Sequence, residues 1–73
     1  ITYNYNMREK ILKAMLKHAE GHIEKHIANI NIMLEKQVGV AEHPDTLETI
    51  EKELAIIAKY EEQVDLIKKY FIS

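Results

Sequence analysis

The sequence predicts an all-α protein, a two-helix antiparallel hairpin that dimerises into a four-helix bundle. Three observations carry that prediction. Apolar residues recur at helical spacing over two long stretches, and one punctuated segment, Val38-Gly39-Val40-Ala41-Glu42-His43-Pro44-Asp45, separates them. The composition, 47% hydrophobic beside 30% charged, is too apolar for disorder and rich in helix formers. Seventy-three residues without a cysteine have neither the size nor the covalent staples to bury a large core alone, so association is the remaining route to stability. The missing cysteines also fit a reducing cytoplasm.

Residues 1–6 alternate apolar and polar (Ile1, Tyr3 and Tyr5 against Thr2, Asn4 and Asn6), a period of two that suits an extended arm. With Met7 placed as an internal start, the arm also reads as a tag remnant or a frayed terminus. Residues 7–73 form the single hairpin domain. Asn6 is placed to cap the first helix, with Glu9 three residues on completing a capping-box pair.

The first helix, about 7–37, carries a seam at alternating steps of four and three: Leu12, Leu16, Ala19, Ile23, His26, Ile30 and Met33. Met15, Ile27 and Leu34 flank it and widen the stripe beyond what one neighbour can cover. Gly21 interrupts this helix, either as a tolerated blemish on an outward face or as a point of close approach. Gly39 suits a left-handed C-cap, and Pro44 stops the helix from running straight through.

The second helix, about 45–71, starts with Asp45 as its cap or with Pro44 as its first residue. Glu48, Glu51 and Glu53 near its start and Lys68 and Lys69 near its end agree with the helix dipole. Its apolar seam reads Leu47, Ile50, Leu54, Ile57, Tyr60, Val64, Ile67 and Phe71, with two consecutive steps of three around Ile57, the mark of a stammer. Ala55 and Ala58 offer close backbone approach at the level of Ile23 and His26. Ile11, Ile32, Ile56, Leu66 and Tyr70 lie off both seams, which asks for a second copy to close the surface. The oligomer interface expected from these stripes is Leu12, Leu16, Ile23, His26, Ile30, Leu54, Ile57, Val64 and Ile67.

His18, His22 and His26 stand four residues apart in one line, the only cluster that suggests site chemistry. Histidines at i and i+4 can share a divalent metal, and antiparallel folding would offer Glu61 or Glu62, with Glu62 favoured, as a third ligand. His18 and His26 are roughly 12 Å apart along the axis, so only neighbouring pairs can share an ion. The other reading is structural: His18 solvated, His22 beside the seam, and His26 buried within it, neutral, and a source of acid sensitivity.

The charge, −2 overall, splits into +2 over residues 1–38 and −4 over residues 39–73, which argues against a nucleic-acid binder. No apolar run is long enough to span a bilayer, neither polar face is basic enough for a membrane surface, and no motif supplies a nucleophile or phosphate loop. The reading is a non-enzymatic interaction or assembly module, a homo-oligomer with a dimer favoured, without a cofactor and with room for a protein partner. The alternatives are a metal-binding bundle on the histidine line and an adaptor that captures a helix on Ile32, Ile56 and Tyr70.

The turn segment Val38–Asp45 resembles one found in small uncharacterised two-helix proteins of contractile-tailed marine phages. That resemblance implies no activity, cofactor or catalytic residue. It implies an accessory or virion-associated protein in a virion or a host cytoplasm.

Overall fold

The computed structural model describes residues 6–36 and 44–72, which form two helices, α1 (Met7–Glu35) and α2 (Pro44–Tyr70). The arm at residues 1–5, the turn glycine Gly39 with Val40, and Ser73 lie outside the described residues. Arg8 at the start of α1 donates to the Phe71 carbonyl just past α2 at 2.8 Å, and His26 meets Glu53 midway along. The helices are therefore antiparallel, about 43 and 40 Å long at 1.5 Å per residue.

Both ends of the hairpin have identifiable chemistry. Asn6 Oδ1 accepts from the Glu9 amide at 2.8 Å, the expected N-cap of α1. Pro44 is the first residue of α2, the second of the two starts that the sequence allowed, where a missing N–H costs nothing. The Arg8 contact places a cation on the carbonyl just past the last residue of α2, at the end where the helix dipole favours it. Lys68 and Lys69 sit in the last turn of that helix.

The contact between the helices follows the expected seam on α1 without exception: Leu12, Leu16, Ile23, His26, Ile30 and Met33 are half-buried and Ala19 is 1% exposed. On α2 the seam differs. Leu47 and Leu54 are 60% and 53% exposed, while Thr46 and Glu53 turn inward. The observed line is Thr46, Ile50, Glu53, Ile57, Tyr60, Val64 and Ile67, an unbroken alternation of four and three. There is no stammer among the described residues; the apparent one came from preferring Leu54 to its polar neighbour. Phe71, placed at the end of that seam, lies beyond the helix and is exposed.

Small residues play a different part than expected. Ala19 on α1 supplies the close contact, whereas Ala55 and Ala58 face solvent. A Cβ at Gly21 would meet nothing within 4 Å, so within one chain this glycine is the tolerated blemish. Of the off-seam residues, Ile56 is half-buried beside the contact, and Ile11, Ile32, Leu66 and Tyr70 are exposed. Most residues expected at an interface between copies thus line the contact between the two helices of one chain, and Leu54 alone among them is exposed.

Candidate functional site

Midway along the hairpin the apolar seam gives way to a polar and aromatic layer. His26 and Asn29, three residues apart on α1, both reach Glu53 on α2. His26 Nδ1 donates to Glu53 Oε2, and Asn29 Nδ2 donates to Glu53 Oε1 at 2.9 Å. The His26 and Glu53 side chains are each 13% exposed, so both carboxylate oxygens are satisfied in a largely dry place. The His26 hydrogen bond, helped by Asn29 and by the nearby charges of His26 and Lys25, holds the Glu53 carboxyl below its ordinary value against the opposing effect of burial.

Next to this layer, toward the termini, the rings stack. His22 lies flat on Tyr60, with centroids 4.5 Å apart and planes 9° from parallel. His26 stacks beyond His22 at 6.0 Å, and His18 meets His22 edge-on at 4.5 Å. Lys59 Nζ stands 5.2 Å from the Tyr60 centroid. His22 Nδ1 is buried and has no hydrogen-bond partner among the described residues. Burial, joined by the charges of His18, Lys25, His26 and Lys59, pushes the His22 imidazole below its ordinary 6.5.

The three histidines do form one line, with His18 exposed and His22 and His26 half-buried. Glu62 does not join them: it is exposed and two residues past Tyr60, which turns it about 200° away from the contact face. Among the described residues, no group of three His, Cys, Asp or Glu side chains could hold a metal ion. The carboxylate that meets the histidine line is Glu53 instead. Sequence reasoning placed Glu53 with the dipole-favouring acids of the first turns and gave Asn29 no role. The available signal was that an unbroken seam on α2 needs Glu53, not Leu54.

Chemically, this layer specifies pairing. A carboxylate with two donors tolerates one register, because a slip along the seam would bury it against apolar partners. Among the described residues, no helix is long and apolar enough to cross a membrane. No family model, curated protein or solved structure matches this chain. The segment on which a phage resemblance is expected spans residues 38–45, of which 38–43 lie outside the described residues.

Proposed function

We propose that this chain is a non-enzymatic helical-hairpin assembly module that works as a homo-oligomer, a dimer forming a four-helix bundle. One observation carries the reading. Only Ala19 and Ile67 among the described residues are buried hydrophobics, while twelve large apolar side chains remain exposed. Covering the exposed half of an aliphatic side chain contributes about 1 kcal/mol. Association costs roughly 4–15 kcal/mol in lost freedom, so about 4–15 such groups must be covered together. Two hairpins that each cover a share of their twelve supply that number. The phage resemblance adds an accessory or virion-associated role to this reading.

Native mass spectrometry on protein prepared without added metal tests it. A metal-free dimer is the expected result. A monomer at micromolar concentration would refute the module as stated, and one bound transition-metal ion per chain would replace it with the metal-binding bundle.

A further inference from the structure

Ile27 and Leu34 each follow a seam residue of α1, His26 and Met33, by one position, and Leu47 and Leu54 follow Thr46 and Glu53 in the same way. The pseudo-twofold axis relating two antiparallel helices is perpendicular to the plane that contains them. Equivalent heptad positions therefore emerge on the same side of that plane. All four aliphatic side chains consequently share one broad side of the hairpin, in the half nearer the turn, and all four are exposed. The register set by the Arg8–Phe71 and His26–Glu53 contacts brings Ile27 close to the level of Leu54 and Leu34 close to that of Leu47. This makes a ridge two layers deep.

We propose that this side is a homodimer face occupied by a second copy of the chain, with both turns at the same end. The inference rests on the oligomeric reading above and names the face that serves it. A twofold axis parallel to the helices lays α1 of one copy along α2 of the other. Ile27 then meets Leu54, and Leu34 meets Leu47. Asn31, between the two aliphatic residues on the same side, meets Glu51, an amide against a carboxylate. Nearer the termini Lys17 meets Asp65. Two levels oppose like charges, Glu20 with Glu61 and Lys13 with Lys68, a repulsion that the aliphatic layers and the Lys17–Asp65 pairs outweigh in this arrangement.

Area favours the same arrangement. Two helices about 10 Å wide, in contact over about 40 Å, give roughly 800 Å² per copy, the size of a standard stable interface. Docking the ridges head to tail overlaps only the turn-proximal halves, about half that area.

Two sets of variants test the proposal. Sedimentation across a concentration series compares the wild type with Leu47→Lys/Leu54→Lys; both positions are exposed within the hairpin, so helix content is retained while self-association weakens at least about 100-fold, the loss of two apolar layers. The chain has no cysteine, so Asn31→Cys and Glu51→Cys introduce single exposed thiols. Mixed and oxidised, they are expected to form a heterodisulfide, whereas neither forms a disulfide dimer alone. Disulfide dimers of each variant alone would overturn the turn-to-turn alignment. A dimer indifferent to the two lysines would overturn this face and leave the oligomeric reading standing. A wild type that stays monomeric throughout would overturn both. Should the lysine variant lose helix, the cysteine pair still decides.

Discussion

Replacing Leu54 with alanine, with Ile67→Ala as the reference because both seams contain Ile67, tests the register of α2 directly, since the observed seam and the apolar one disagree about whether Leu54 bears load. Ile67 is 7% exposed and Leu54 is 53% exposed. Ile67→Ala removes three buried carbons at about 0.8 kcal/mol each, or ~2.4 kcal/mol. The contact between two helices is open at its flanks and can partly collapse, so the cavity adds little and the total stays near the low end of the roughly 2–5 kcal/mol range, about 3 kcal/mol. Leu54→Ala removes carbons already half in water and leaves no cavity, costing about 1 kcal/mol. At about 4–8 °C per kcal/mol for a domain of this size, the melting temperatures fall by roughly 12–24 °C and 4–8 °C. Thermal melts followed by circular dichroism measure both. They are run at two concentrations about twentyfold apart, because any share of the Leu54 effect that belongs to association depends on concentration and the Ile67 share within one chain does not. Equal losses, or a larger one at Leu54, would falsify the seam through Glu53 and restore the stammer.

Gly21→Ala should stabilise the hairpin by about 1 kcal/mol through backbone entropy and helix propensity, since the space around the new Cβ is open; a melting temperature that falls instead would place a neighbouring copy against that face. Acid should weaken the fold in two steps. The folded-state pKa of His22 lies below its unfolded value of 6.5, so its contribution is intact above that value and is lost as pH falls through 6.5 toward the folded value. Glu53 is likewise depressed, from 4.5, and its contribution is lost only as pH falls below 4.5 through the lower folded value. His22→Phe keeps a ring on Tyr60 and removes the upper step. If the variant loses as much melting temperature as the wild type between pH 7 and pH 5.5, His22 is not the sensor.

What could be read from the sequence, and what could not, divides by how each feature is encoded. Asn6 as a cap, and the α1 seam from Leu12 to Met33, are local facts of residue type and spacing, and the structure reproduces them residue by residue. The seam of α2 depends on a choice between adjacent residues, Glu53 or Leu54, that hydrophobicity alone decides wrongly. The correct answer needs the partner helix, because Glu53 turns inward where His26 and Asn29 each offer a donor. Once Glu53 is inside, Leu54 and Leu47 are rotated out, and the exposed ridge on that side is the other half of the same decision. The polar layer and the ridge are therefore coupled. A chain that gains register by burying a carboxylate on its inner seam leaves aliphatic residues outside, and that outward face is the one proposed above as the homodimer face. Replacing both donors, His26→Leu with Asn29→Leu, accordingly perturbs both at once: it leaves the Glu53 carboxylate buried without partners and drives α2 to rotate toward the apolar seam, which draws Leu54 inward and thins the face available for association.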